Sequence, residues 1–483
     1  PVVETAVKAA LYGRAGAPRV HGKTDPDGRA LLRATGDLPP QVIADALAPV
    51  LASTLGLAGA RAYANPQAQE TTALTRRALP LTPVPARTPY FCSGCPHNRS
   101  TRTPAGSLVA AGIGCHTLVV FMDEERVGNV VGFSQMGGEG AAWIGMSPFV
   151  TDEHLVQNLG DGTYHHSGSL AVRASVAAGT NVTYRILYNG AVAMTGGQDI
   201  VGGMTPANLA RELLAEGVRQ VVVTTDDVGR SRSAGLPDGV TVRHRDDLED
   251  VLTELATVPG VTAVIHQQEC ATELRRKRKR GLIESPGRRI WINERVCEGC
   301  GDCGAKSNCL SVQPVETEFG RKTRIHQASC NLDYSCIEGD CPSFISVTPG
   351  GPQRPAGRAP AIEGTDLPDP VAAVTNSPLN IRIMGIGGTG IVTTAQVLAV
   401  AATNAGLHVR GLDQLGLSQK GGAVVSDLRL AAAPFEGTNK LEPGTCDVYL
   451  GADLLVAADP RNLAVTDPAR TRAIVSTTPN PTG

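Results

Sequence analysis

Residues 155–190 read LVQNLGDGTYHHSGSLAVRASVAAGTNVTYRILYNG. An apolar run, Leu155–Leu159, stops at Gly160-Asp161-Gly162; a helical stretch spans Ser169–Ala178; a second apolar run, Val182–Tyr188, stops at Asn189. Strand, helix and strand in so short a span make a parallel βαβ unit. Further runs at Leu118–Phe121, Gln220–Thr225 and Val261–His266 continue the pattern, so residues 88–285 are expected to form a parallel sheet wrapped by helices.

Ligands of such sheets sit at the carboxyl ends of the strands. There Asp161 offers a carboxylate, Asn189 an amide oxygen and Ala191 a backbone carbonyl, three of the oxygens that a magnesium ion bridging a diphosphate takes. Gly160 and Gly162 let the backbone approach phosphate, and the run Met194 to Gln198 adds Gly196 as a further cofactor contact. His165 and His166 beside this loop, and His97 upstream, are candidates to hold a substrate carboxylate or pass a proton; the plain alternative is that they are solvated turn residues.

The second informative stretch is Cys297 to Cys341. Its spacing is C-x2-C-x2-C at Cys297, Cys300 and Cys303, followed by Cys309, Cys330, Cys336 and Cys341-Pro342. Three thiolates on one tight loop wrap three corners of an iron–sulfur cube, and in two-cluster ferredoxins the fourth ligand crosses over from the other motif. Cluster one is thus expected on Cys297, Cys300, Cys303 and Cys341, and cluster two on Cys309, Cys330 and Cys336. Asp333 stands where the middle cysteine of the second motif belongs, so either it ligates iron or that cluster is 3Fe-4S rather than 4Fe-4S. Zinc is the competing occupant, but two CxxC pairs close a zinc site with fewer ligands than this stretch carries. A third group, Cys92 and Cys95 with Cys115 and Cys270, flanks the sheet residues. It could converge on another cube, or Cys115 and Cys270 could be small buried apolar side chains.

The remaining chain frames these motifs. Helices are expected at Glu4–Tyr12 and Pro40–Leu55 in an accessory segment, residues 1–87, with no recognisable chemistry. Six basic residues, Arg275 to Arg280, form either a solvated face, a steering surface for an acidic carrier, or a brace for the next domain. The ferredoxin-like domain occupies 290–347, and 348–379 has a linker's Pro/Gly/Ala composition. From 380 a strand runs into Gly385-x-Gly387-Gly388-x-Gly390 and a helix, a Rossmann-like arrangement in which Asp413 could meet a nucleotide ribose. With 44 basic and 46 acidic residues the chain has no global field for nucleic acid or a membrane surface. No apolar run is long enough to span a bilayer, and twelve cysteines, most of them at ligand spacing, fit a reducing, cytoplasmic setting. The sequence starts without methionine and is expected to be part of a longer polypeptide.

Cys92–His97, Gly112–Cys115, Gly160–Gly168, Leu187–Gln198 and the cysteine stretch together resemble the indolepyruvate ferredoxin oxidoreductases, in their long fused bacterial form, of the 2-oxoacid:ferredoxin oxidoreductase family. The resemblance implies three parts: a thiamine-diphosphate-binding parallel-sheet domain, an inserted ferredoxin-like α+β iron–sulfur domain, and a gamma-type domain at 380–483 that is not a nicotinamide site. It places thiamine diphosphate and Mg2+ on Asp161, Asn189 and Ala191, and a proximal cluster on Cys92, Cys95, Cys115 and Cys270. It implies oxidative decarboxylation of an aryl 2-oxoacid to acyl-CoA, with coenzyme A as cosubstrate, ferredoxin as electron acceptor and a homodimeric assembly. The family's pyrimidine-binding domain, which carries the cofactor-activating glutamate, has no counterpart in these residues. Pyruvate or branched-chain 2-oxoacids are the alternative substrates, and an electron-transfer subunit without thiamine chemistry is the alternative class.

Overall fold

The computed structural model describes residues 2–32, 40–55, 87–194, 198, 200–348, 350, 374–415, 421–478 and 480. The chain divides into two compact units, residues 1–84 and 85–483. In the first, the helices Val2–Leu11 and Pro40–Leu55 form as the periodicity requires. The first is tied to the loop after it, where Glu4 accepts a hydrogen bond from the Lys23 amide at 2.9 Å.

The second unit is organised by a seven-stranded sheet: β1 (Leu108–Ala111), β2 (Asn129–Phe133), β3 (Leu155–Gly160), β4 (Val182–Tyr188), β5 (Val221–Thr225), β6 (Thr241–His244) and β7 (Val261–Gln267). The spatial order is β2-β1-β3-β4-β7-β5-β6, and every pairing is parallel. The central strands are buried on both faces, and their mostly apolar sequences are interrupted by buried polar residues such as Asn158 and Arg185.

The two faces differ in chemistry. Leu155, Leu159, Val182, Tyr184, Ile186, Val223 and Ile265 point to one face, where Val172 of the helix Ser169–Ala178 and Leu209 and Leu213 of the helix Pro206–Ala215 cover them. On the other face Val156, Val222 and Val264 meet the helix Leu248–Ala256. Alternation also puts Asn158, Arg185, Thr224 and His266 on that second face, all buried. Arg185 is wholly enclosed; it donates to Asn158 Oδ1 at 2.7 Å, to the Arg102 carbonyl at 2.7 Å and to Thr103 Oγ1 at 3.0 Å, pinning the segment after Cys95 to the sheet.

One expectation fails here. Leu118–Phe121 is not a strand; it belongs to a 3-10 helix, Cys115–Phe121, whose Leu118 and Val119 are apolar because they pack under Phe91 and Val127. The strands that do occupy this end, β1 and β2, are short, and β2 is largely exposed.

After the helix Ala271–Lys279 come β8 (Arg289–Ile292), β9 (Val312–Thr317), β10 (Gly320–Ile325) and β11 (Phe344–Val347), paired as two antiparallel ribbons, β8 with β11 and β9 with β10. Their core is small: Ile290, Ile292, Cys297 and Ile325, flanked by Cys303, Cys330, Tyr334 and Cys336. The basic helix braces this insert. Arg275 donates to Asn331 Oδ1 at 3.2 Å and Arg278 to the Asn331 carbonyl at 2.9 Å.

The last sheet contains β12 (Leu379–Ile386), β13 (His408–Leu415), β14 (Ala423–Ala431), β15 (Val448–Gly451) and β16 (Arg472–Val475), in the order β13-β14-β12-β15-β16. β14 is antiparallel to both β12 and β13, while β15 and β16 run parallel to β12. Arg382 and Asp427 form a buried two-pronged ion pair across β12 and β14, both contacts 2.8 Å. The ribose role for Asp413 fails. A dinucleotide fold needs its acid on the strand beside the glycine loop's strand, whereas β14 separates β13 from β12, and Asp413 accepts from Ser426 Oγ at 2.6 Å.

Candidate functional site: a carboxylate crevice beside three cysteine groups

β3 and β4 are parallel neighbours in the register Gly160 to Leu187, so both end on the same edge of the sheet. Asp161 follows β3 directly, and Asn189 follows β4. The Asp161 carboxylate is 9% exposed and takes three backbone hydrogen bonds: from the Gly162 amide at 2.9 Å on Oδ1, and from Asn189 at 3.2 Å and Gly190 at 2.9 Å on Oδ2. Burial nonetheless pushes its pKa up to about 6, outweighing those three bonds. Among the described residues no ion pair includes Asp161. A buried carboxylate fixed by backbone yet lacking a cation is a group prepared for one.

Asn189 is half-buried, its side-chain oxygen accepting from the Ala191 amide at 3.0 Å, and Ala191 is buried. Gly196 lies outside the described residues. Asp161, Asn189 and Ala191 therefore present oxygen donors within one turn of two adjacent strand ends. That hard-donor set fits magnesium on a diphosphate, in the crevice position that parallel sheets reserve for ligands.

Sequence reasoning missed His116. It is 2% exposed, its Nε2 is unpartnered, and its Cε1 lies 3.5 Å from where a Gly160 side chain would begin. Burial first, and then the Arg185 charge, lowers its pKa to about 4, so it is a neutral imidazole. Glu139, fully buried, leaves Oε1 unpartnered while Oε2 accepts from the Gly137 amide at 2.7 Å; burial raises its pKa. A side chain at Gly112 would collide with that carboxylate. His116 and Glu139 lie near the ends of β1 and β3, between which the strand order reverses, and no spacing motif marks either one.

The three histidines named from sequence fall elsewhere. His165 and His166 are exposed on a wide turn, Tyr164–Gly168; His166 shares a hydrogen bond with Ser167 Oγ at 2.7 Å, and His165 lies against Gly202. His97 is 3% exposed, with Nδ1 3.1 Å from Ser100 Oγ and its ring 6.3 Å from that of His116.

None of the twelve cysteines is in a disulfide. Those of the insert interact in two sets. The Cys303 thiol is raised by burial and then by Cys297 and Cys300; the Cys336 thiol is pushed up to about 12 by burial and then by Cys309, Cys330 and Cys303. Cys341 is half-buried. Asp333 is taken up by an ion pair, its Oδ1 2.7 Å from Arg245 Nη1. Around the sheet, Cys95, Cys115 and Cys270 are buried and Cys92 is half-buried. The Cys270 amide donates to the Asn189 carbonyl at 3.2 Å, Thr272 Oγ1 is 3.6 Å from the Cys92 sulfur, and the His97–His116 ring contact draws the Cys95 turn toward Cys115. Among the described residues no three His, Cys, Asp or Glu converge on a single ion. The chemistry of the donors, thiols in facing groups, fits a multi-iron cluster, whose thiolates stand around a body of several atoms. The groups also touch one another: the Gly94 amide, between Cys92 and Cys95, donates to the Cys309 sulfur at 3.2 Å.

Residues 112–266 match the thiamine pyrophosphate enzyme C-terminal TPP-binding domain family, and residues 380–468 match the pyruvate ferredoxin/flavodoxin oxidoreductase family. Indolepyruvate oxidoreductase subunit IorA of Thermococcus kodakarensis is 28% identical over 253 residues, covering 47% of this chain and 36% of that protein. Subunit IorB of Archaeoglobus fulgidus is 36% identical over 87 residues, covering 17% of this chain and 36% of that protein. Among solved structures, the 2-oxoglutarate:ferredoxin oxidoreductase from Magnetococcus marinus gives a TM-score of 0.29 at 19% identity, covering 40% of this chain and 69% of that one. The matches to the curated relatives span about a third of their length.

The chain thus joins a domain of the thiamine pyrophosphate enzyme family to one of the pyruvate ferredoxin/flavodoxin oxidoreductase family. The IorA relatives it resembles are named indolepyruvate oxidoreductase subunits, at 24% to 28% identity.

Proposed function

We propose that the polypeptide containing this chain decarboxylates an aryl 2-oxoacid of the indolepyruvate kind oxidatively, giving acyl-CoA and carbon dioxide and passing electrons to ferredoxin. The observation that carries this reading is the Asp161 carboxylate, buried and backbone-bonded without a cation, one strand from Asn189. Asp161, Asn189 and the Ala191 carbonyl would hold Mg2+ and the diphosphate. Bound thiamine diphosphate supplies the nucleophile and the electron sink for loss of carbon dioxide. His116 presents an uncharged nitrogen beside Gly160, suited to hydrogen-bonding a reacting oxygen. Cys92, Cys95, Cys115 and Cys270 would hold the proximal cluster; Cys297, Cys300, Cys303 and Cys341, with Cys309, Cys330 and Cys336, would hold those of the insert. Relatives named as two subunits, IorA and IorB, both match this one chain, which supports a fused form. The pyrimidine-binding part comes from elsewhere in the polypeptide or its partner, in a homodimeric, cytoplasmic assembly.

The test is anaerobic purification of the full-length protein with iron, sulfide and thiamine diphosphate measured before and after Asp161→Ala. Loss of thiamine diphosphate with iron retained supports the reading. Iron without thiamine diphosphate in either form overturns it and leaves an electron relay.

A further inference from the structure

Two four-iron clusters in the insert require eight protein donors. Between Ile290 and Val347 there are seven cysteines, and Asp333 is the eighth candidate by position. The fold engages one oxygen of that carboxylate elsewhere. Asp333 Oδ1 accepts from Arg245 Nη1 at 2.7 Å and from Gln268 Nε2 at 2.9 Å, and its backbone carbonyl accepts from Arg245 Nη2 at 3.3 Å. Both partners belong to the large sheet's side: Arg245 follows β6 and Gln268 follows β7. The Arg245 and Asp333 side chains are each 9% exposed, so the pair is largely shielded from water.

The local backbone is shaped for this contact. Leu332 and Tyr334, on either side of Asp333, adopt φ of 63° and 65°, a left-handed conformation that non-glycine residues rarely take. Gly94, also left-handed, sits beneath: a side chain there would begin 3.1 Å from the Asp333 Cβ. Around this point Glu338 reaches Arg245 at 3.6 Å and pairs with Arg99, which also pairs with Asp246. The insert is thus fastened to the sheet by acids that meet two buried arginines.

We propose that Asp333 is the electrostatic latch docking the insert onto the thiamine-type sheet, not an iron ligand, and that the Cys309, Cys330 and Cys336 site therefore holds a three-iron cluster. This rests on the iron–sulfur reading above and refines it. The sequence left two readings open, an Asp333 iron ligand or a three-iron cluster; the Arg245 and Gln268 contacts favour the second.

The experiment uses the full-length protein, purified and reconstituted anaerobically with iron and sulfide, and reads EPR spectra of the oxidised and dithionite-reduced forms together with iron content. The wild type should show an oxidised three-iron signal stoichiometric with the chain. Asp333→Cys should convert it to a reduced four-iron signal with a gain of one iron. Asp333→Asn and Arg245→Ala should both keep the three-iron signal while amide exchange at residues 330–338 accelerates. Four-iron clusters at every site in the wild type, with iron lost in Asp333→Asn but not in Arg245→Ala, would overturn the latch and make Asp333 a ligand. A wild type that binds no iron would overturn the iron–sulfur reading itself.

Discussion

The crevice at Asp161 and the insert at Cys297 hold their functional groups by opposite means. At the crevice, backbone amides of two strand ends aim at one carboxylate, and the strands are fixed by an apolar core that needs no cofactor. In the insert, two short ribbons enclose a core in which cysteines stand where larger apolar side chains would otherwise pack. One site is organised by the fold, whereas the other fold is organised by its site. Where a cofactor replaces a core, its binding energy becomes folding energy.

Stripping iron and sulfide should widen that contrast most. Residues 290–347 should lose amide protection by roughly 1,000-fold, about 4 kcal/mol, while β3, β4 and β7 stay protected; hydrogen exchange followed by mass spectrometry reads both regions at once. Equal loss in both would end the distinction.

Arg245→Ala comes next, because it leaves Asp333 buried without its cation. Thermal unfolding of the cluster-loaded protein should show a cost of about 3 to 5 kcal/mol confined to the insert's transition. A third change acts on the other region alone: Asp161→Ala should weaken thiamine diphosphate and Mg2+ binding at least about 100-fold, measured by calorimetry, with the insert's exchange pattern unaltered.

The mildest probe is pH. Asp161 titrates near 6 in the folded protein against 3.8 for an unperturbed carboxyl. The cation binds the ionised form, so cofactor affinity should fall about tenfold for each pH unit below about 6. Without cofactor the sign reverses for stability. The folded state holds this proton more tightly than the unfolded chain, so the contribution is full below pH 3.8 and is lost as pH rises through about 6. A titration of melting temperature with and without Mg2+ and thiamine diphosphate reads both slopes.

The core of the sheet was legible because β3, β4, β5 and β7 are short, mostly apolar runs with glycine or polar stops, and Asp161 and Asn189 follow two of them. β1, β2 and β6 left no comparable trace, being four or five residues long, and β2 and β6 lie at the sheet's edges, where burial does not select an apolar sequence. The run at Leu118 misled because a 3-10 helix packed on one side also needs adjacent apolar residues. His116 and Glu139 were illegible for a different reason. Their significance lies in a buried atom without a hydrogen-bond partner, and that depends on neighbours distant in sequence. Asp333 was visible as a substitution at a ligand position, but its partner Arg245 lies 88 residues away and only the fold brings it into view.

The position of β7 has a consequence for how the chain is made. It is the last strand of the large sheet to be synthesised, yet it lies between β4 and β5. Until Val261–Gln267 leaves the ribosome, β4 and β5 each have an open edge where β7 will later sit. The nascent sheet therefore exists as two halves with unpaired backbone, exposed to aberrant strand pairing until a single late insertion closes it.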